Sequence, residues 1–273
     1  MKAFIRYYTL DHFRLFASKL RLWCSNRTPI LVYTMAKVGS MSAYSSIKKQ
    51  TNIPCFHIHA LNLEEDRLMQ QYCFDNEMVP DSRSPIKFIQ NKLIIPKKKL
   101  NVITLFRNPV ERNVSAFFDA FELYVGMPIS QYKGGVEPLI QLFHEKLPHL
   151  YAIDWFDQKF KRDTGIDVYD YEFNQEEGFQ YLSKDNFTVL ILNSALSNSI
   201  KEAQVGKFIQ QDSFILKDVN ITAESNRGPL YNEFKNTIRF SRIYLDSLLQ
   251  SKYSQHFFTK DEIEETYNRW LEN

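Results

Sequence analysis

"VYTMAKVGSMSAYSSIKK", residues 32–49, passes from an apolar run through a polar loop into a helix-like pattern. The apolar run stops at Met35. Lys37, Gly39 and the hydroxyls of Ser40, Ser42, Ser45 and Ser46 follow. A buried strand feeding a Gly- and Ser-containing loop and then a helix is the order in which parallel α/β sheets build anion sites. The loop that holds ATP phosphates runs Gly, four residues, Gly-Lys and then Ser or Thr. Here the lysine precedes a lone glycine, so the loop is not of that type.

The same grammar recurs along the chain. "PILVYTM" (29–35), "CFHIHA" (55–60), "NVITLF" (101–106) and "FTVLILN" (187–193) are short apolar runs, each ended by a small or polar residue. Such runs fit strands buried on both faces. Helical spacing occupies 42–50, 62–73, 84–93, 109–125, 137–147 and 196–207. The alternation predicts an α/β fold, a central parallel sheet of about four or five strands flanked by helices. Ligands of such sheets sit at the carboxyl ends of the strands. The positions just after 35, 59, 106 and 193 are therefore where chemistry is expected. Beyond 205 the pattern is helical, and Thr259 is placed to cap a last helix. The segment 126–136 reads as a long loop.

Composition narrows the function classes. With 273 residues the chain is long enough for one large core. Only 8 glycines argue against a loop-rich all-β design, and a net charge of +2 is too small for bulk nucleic-acid binding. Cys24, Cys55 and Cys73 have no metal-ligand spacing, and so sparse a set fits a reducing, cytoplasmic compartment. No apolar run approaches the roughly 18 residues needed to span a bilayer. The segment 1–28 reads as a basic amphipathic helix, which either packs on the domain or meets a membrane surface or a partner of a biosynthetic complex.

Two constellations stand out. In the first, Gly39 tolerates positive φ, the N–H groups of residues 39–42 open a helix, and Lys37 adds a point charge. A Ser-rich helix start is equally compatible with a purely structural role. In the second, "FRNPVERNVSAFF" (106–118), Arg107 follows a buried strand, Pro109 suits a first helical turn, and Ser115 lies about two turns on. Arg107 and Ser115 suit a phosphate. Alternatively, Arg107 or Arg112 pairs with a carboxylate such as Glu111, and Ser115 is a small packing residue.

Together the stretches resemble the two cofactor motifs of sulfotransferases that use 3′-phosphoadenosine-5′-phosphosulfate (PAPS). "AKVGSMS" (36–42) is similar to the 5′-phosphosulfate loop of the carbohydrate-modifying branch, and "FRNPVERNVSAFF" to the 3′-phosphate motif. The tail "SKYSQHFFTKDEIEETYNRW" (251–270) resembles tails of bacterial sulfotransferase-like proteins of capsular polysaccharide synthesis. Ala36 stands where the family has proline, Met41 where a hydroxylated residue is common, and Asn108 where it has aspartate. A sulfuryl donor needs no metal-bound triphosphate, which accounts for the unusual loop.

The resemblance implies a P-loop nucleotide-kinase-like, three-layer fold in a single domain, 1–273. Its parts are the N-terminal helix (1–28), a nucleotide-binding core (29–205) and a helical C-terminal part (206–273). It implies that Lys37, Val38, Gly39, Ser40, Met41 and Ser42 bind the 5′-phosphosulfate, with Lys37 also catalytic by stabilising the leaving group. Arg107 and Ser115 take the 3′-phosphate. Arg227, in "NITAESNRGPLYNEF", is the candidate for a late basic loop over the nucleotide, or else belongs to an ordinary turn. "CFHIHALN" (55–62) resembles a His-x-His found between the cofactor motifs of some glycan sulfotransferases. His59 is the expected general base and His57 its companion; Glu64 and Asp66 are alternatives, and one or both histidines can be structural. No third ligand is indicated, so no metal is expected. Lys97, Lys98 and Lys99 read as a solvated face before a strand.

The expected activity is sulfuryl transfer from PAPS to a hydroxyl, on a carbohydrate or polysaccharide. The rivals are an ATP-dependent small-molecule kinase, which lacks its Ser/Thr after lysine and its acidic strand end, and a non-catalytic polysaccharide-biosynthesis protein that retains the fold.

Overall fold

The computed structural model describes residues 12–75, 85–217 and 228–272. Five strands form its sheet: β1 (Ile30–Tyr33), β2 (Cys55–Ile58), β3 (Leu100–Phe106), β4 (Phe179–Lys184) and β5 (Phe187–Asn193). Their order is β2-β1-β3-β5-β4. β1 pairs in parallel with β2 (Ile30↔Cys55) and β3 (Ile30↔Asn101), and β3 with β5 from Leu100↔Phe187 to Phe106↔Asn193. Every residue of β1 and β2 is buried, as the largely apolar runs predict for strands covered on both faces.

The four expected strands are present within a few residues of their predicted ends. β4 was not legible in the sequence and runs antiparallel to β5. The hairpin turns at Asp185, whose φ is +53°. Only Leu182 of "FQYLSK" is buried, so this edge strand has neither an apolar run nor clean alternation.

The longer helices are numbered in chain order: α1 (His12–Cys24), α2 (Ser40–Gln50), α3 (Leu63–Asp75), α4 (Pro109–Asp119), α5 (Glu137–Lys146), α6 (Asn198–Ile209), α7 (Gly228–Thr237), α8 (Arg242–Leu249), α9 (Lys252–Phe257) and α10 (Lys260–Trp270). Asn108 caps α4, accepting from the N–H of Val110 (3.0 Å) and of Glu111 (3.3 Å), with Pro109 in the first turn. Thr259 caps α10 in a reciprocal box with Glu262. The loop 126–136 contains a 3-10 turn, Ile129–Gln131.

Aromatic packing ties the C-terminal helices to the sheet. Phe106, at the end of β3, stacks on Phe257 at 4.4 Å and meets Phe173 and Phe258 edge-on. Burying one such ring contributes about 1.5–3 kcal/mol. The cluster fixes α9 and α10 beside the carboxyl edge of β3, where the ligand was expected. Among the described residues no helix is long and apolar enough to cross a membrane.

Candidate functional site

In this sheet β2 lies on one side of β1, and β3 and β5 on the other. The chain therefore reverses its winding direction between β1 and β3. A crevice opens at the carboxyl ends of two strands so placed. The loop after β1 carries Lys37 and Gly39, and the residue after β3 is Arg107, so the first two constellations meet at this point.

Two arginines hold the loop, and a tyrosine holds one of them. Arg107 Nη1 donates to the Lys37 carbonyl at 3.1 Å, and Arg112 Nε donates to the Ala36 carbonyl at 3.1 Å. The Tyr253 hydroxyl donates to the Arg107 carbonyl (2.7 Å) and accepts from its N–H (3.1 Å). Lys37 itself adopts φ +70°, a left-handed conformation that costs an L-residue roughly 1–2 kcal/mol. Gly39, at φ +79°, caps α2 with no side-chain acceptor and with open space where a Cβ would stand. The first turn of α2 has no acidic residue, so its N-terminal partial charge is not neutralised locally. The arrangement suits an anion.

Side chains from α4 complete it. Glu111, Ser115 and Asp119 are spaced by four and share a helix face. Lys37 Nζ lies 3.1 Å from Asp119 Oδ1, and Arg107 Nη2 lies 3.4 Å from Glu111 Oε2. Buried Ser115 thus sits between the partners of the two cations, and its hydroxyl makes no hydrogen bond to another described residue. Glu111 also meets Arg269 (2.9 Å) and Lys235 (3.3 Å). The Arg107–Glu111 pairing is the structural alternative weighed from the sequence. It is a long contact, and Glu111 keeps two other cations if Arg107 turns to a ligand. Arg112 is buried behind the loop, held by the Tyr151 ring at 4.6 Å. Burial lowers its pKa, yet an arginine stays charged.

The two histidines come together as their spacing predicts. Their rings lie 4.6 Å apart, edge to face. Ser40 Oγ is 2.8 Å from His57 Nε2, tying β2 to the first turn of α2. His59 Nδ1 lies 2.7 Å from the Thr34 carbonyl. A carbonyl only accepts, so Nδ1 carries the proton, and Nε2 is the basic nitrogen of the neutral ring. Of the alternative bases, Glu64 is exposed and its hydrogen bond to Arg67 holds it below the usual carboxylate range. Burial raises Asp66, which accepts from Gln70.

A cleft of about 600 Å³ opens beside this cluster. Val38, Gly39, Ser42 and Arg107 form one wall, and Asn193, Ser194 and Ala195 at the end of β5 form the floor. Glu262, Arg269 and Trp270 of α10 form the far wall. Lys37, Ser115 and the histidines lie outside its lining. Ser42 Oγ donates to the Lys217 carbonyl (2.7 Å), and Ser46 Oγ accepts from the Lys217 N–H (2.9 Å), so the chain at 214–217 covers that side of α2. Arg227 lies outside the described residues, as do residues 1–11 of the N-terminal segment. Among the described residues no group of three or more His, Cys, Asp or Glu is arranged to hold a metal.

Sequence reasoning pointed to residues after 193 as ligand-facing, and they form the cleft floor. It placed the last helix, capped by Thr259, but did not foresee that this helix would wall the cleft or that Tyr253 would reach Arg107. Their contacts with the site span up to 158 residues of chain, and no local pattern encodes them.

Residues 133–259 match a family model, NKWYS, described as "Putative capsular polysaccharide synthesis protein". The match covers just under half of the chain. It takes in β4, β5 and the helices through α9, and leaves out both loops at 34–42 and 107–115. No curated protein and no solved structure matches the chain.

Proposed function

We propose that the chain is a sulfotransferase that moves the sulfuryl group of PAPS to a hydroxyl of a carbohydrate or polysaccharide. The observation that carries this is the contact of Arg107 with the Lys37 carbonyl, which brings the two motif-like loops together at the switch point of the sheet. A donor with two separate phosphate groups needs two such anion sites side by side. The matched family's description supports a polysaccharide as the acceptor. The fold that goes with the proposal is the P-loop nucleotide-kinase-like one.

The geometry supports the roles that the resemblance implies. The N–H groups of residues 39–42 and the Lys37 ammonium take the 5′-phosphosulfate. Arg107 and Ser115 take the 3′-phosphate, Arg107 leaving Glu111 to Lys235 and Arg269. The wall of α10, with Glu262 beside Arg269 and Trp270, suits the polar edges and the flat base of the nucleoside. His59 Nε2 removes the acceptor hydroxyl proton as its oxygen attacks sulfur. The bond from sulfur to the 5′-phosphate oxygen breaks, and adenosine 3′,5′-bisphosphate leaves with charge that Lys37 stabilises.

One observation favours a second reading, a non-catalytic protein of polysaccharide synthesis: Lys37 and Arg107 already have carboxylate partners. Calorimetric titration separates the possibilities. Adenosine 3′,5′-bisphosphate is expected to bind much more tightly than 5′-AMP or ATP. Arg107→Ala should remove most of the preference over 5′-AMP, about 2–4 kcal/mol for a charge-assisted contact. Equal affinity for the bisphosphate and 5′-AMP in the parent protein rules the donor out. Preference for ATP indicates a kinase, and no nucleotide binding indicates the non-catalytic role.

A further inference from the structure

The molecule has a second unusual surface, at the opposite edge of the sheet from the cleft. α1 enters β1 through residues 25–29, and "PIKFIQNKLIIPKKK" (85–99) enters β3. The Asn101 N–H donates to the Pro29 carbonyl at 2.9 Å, so both segments reach the sheet side by side at its amino edge. Lys19 Nζ lies 5.2 Å from the centre of the Phe88 ring, and Arg21 Nη1 donates to the Lys48 carbonyl at 3.2 Å. α1 is thus docked along this edge.

Leu22 packs against the core, but other apolar side chains of the helix stay outside. Phe16, Leu20 and Trp23, at i, i+4 and i+7, form one ridge and are 58%, 47% and 70% exposed. Ile95, next to the lysine run, is 67% exposed. Charge is segregated in the same place. Residues 12–28 and 85–99 carry Arg14, Lys19, Arg21, Arg27, Lys87, Lys92, Lys97, Lys98 and Lys99 and no Asp or Glu, although the whole chain has 34 cations against 32 anions. A ridge with an aromatic at each end, on the same edge as lysines that make no ion pair among the described residues, matches the boundary between acyl chains and anionic headgroups. An acidic protein would complement the lysines but would leave the apolar ridge unexplained.

We infer that this amino edge seats the protein on an anionic lipid bilayer, with Phe16, Leu20 and Trp23 inserted at the headgroup level and Lys97, Lys98 and Lys99 facing the lipid phosphates. The cleft at the carboxyl edge then faces away from the bilayer. The surface is independent of the chemistry proposed for the cleft.

The test uses the full chain and vesicles of phosphatidylcholine with or without phosphatidylglycerol. Trp23 is a built-in probe, because the other two tryptophans, Trp155 and Trp270, are each only 1% exposed. Expected results are co-sedimentation with the anionic vesicles only, a blue shift of tryptophan emission, and quenching by brominated lipid. Trp23→Phe should keep sedimentation and lose the optical change. The double change Phe16→Ser and Leu20→Ser, and separately the triple change of Lys97, Lys98 and Lys99 to Gln, should each weaken binding at least tenfold with unchanged thermal melts. Absence of binding to anionic vesicles overturns the inference. So does binding without quenching of Trp23, or equally tight binding to polyglutamate, which would identify an acidic polypeptide as the partner.

Discussion

The guanidinium of Arg107 donates to the main-chain carbonyl of Lys37 at 3.1 Å, across 70 residues of sequence. The contact uses the backbone of Lys37 and leaves its ammonium to Asp119 on α4. One arginine thereby fixes the path of the loop that presents the other charge. The left-handed backbone of Lys37 is held in place by its neighbours, a pattern that concentrates at functional sites.

Two substitutions at Lys37 separate its charge from its backbone. Lys37→Ala and Lys37→Gly both delete the ammonium and the partly exposed pair with Asp119. Both should lower turnover more than they weaken donor binding if Lys37 stabilises the leaving group. Only glycine relieves the positive φ, so Lys37→Gly should be more stable than Lys37→Ala by about 1 kcal/mol in urea denaturation. Equal stabilities would show that the loop relaxes out of this conformation. Unchanged turnover with a raised donor constant would make Lys37 a binding residue only.

The histidine pair yields a contrast. His59→Ala should reduce turnover by about 10²- to 10⁴-fold with little change in donor affinity, as for loss of a general base. His57→Ala removes the link to Ser40 Oγ and so should act on donor affinity through the first turn of α2, with a smaller effect on turnover. The check is steady-state kinetics in parallel with nucleotide titration of both variants. Reversal of the two phenotypes would make His57 the base. Less than a tenfold loss in either would move the search to Asp66 or Glu64.

Stability should depend on pH through His149 and His144. Burial depresses both pKa values below the ordinary 6.5. His149 Nδ1 faces the Tyr244 hydroxyl at 2.9 Å and Nε2 the His144 carbonyl at 3.3 Å, a neutral tautomer with each ring nitrogen in use. Below about pH 6.5 the unfolded chain takes up protons that the folded one refuses. Stability therefore holds above that pH and falls as pH drops, at up to about 1.4 kcal/mol per pH unit for each proton of difference. Urea denaturation between pH 8 and about pH 5 should show this decline. His149→Gln, which preserves a donor and an acceptor, should make it shallower, leaving the contributions of His144 and of His256, also depressed by burial. An unchanged slope in that variant would exclude His149 as a source.

The four buried parallel strands were legible in the sequence, because strands covered on both faces must be mostly apolar. Three helix starts at the site were legible as well. Gly39, Asn108, Pro109 and Thr259 act through the backbone within a few residues of themselves. The convergence of Lys37, Arg107, Ser115 and the histidine pair was also readable, since any such sheet gathers strand ends on one edge. Only the tertiary structure decided what surrounds them. The half-exposed edge strand β4, the seating of Tyr253 on Arg107, the pairing of Lys37 with Asp119 and the cleft wall from α10 depend on side chains far apart in sequence. Such contacts are chosen by whole-core packing, here the stacking of Phe106 on Phe257, and a local pattern of residues does not encode which distant surface that packing brings into reach.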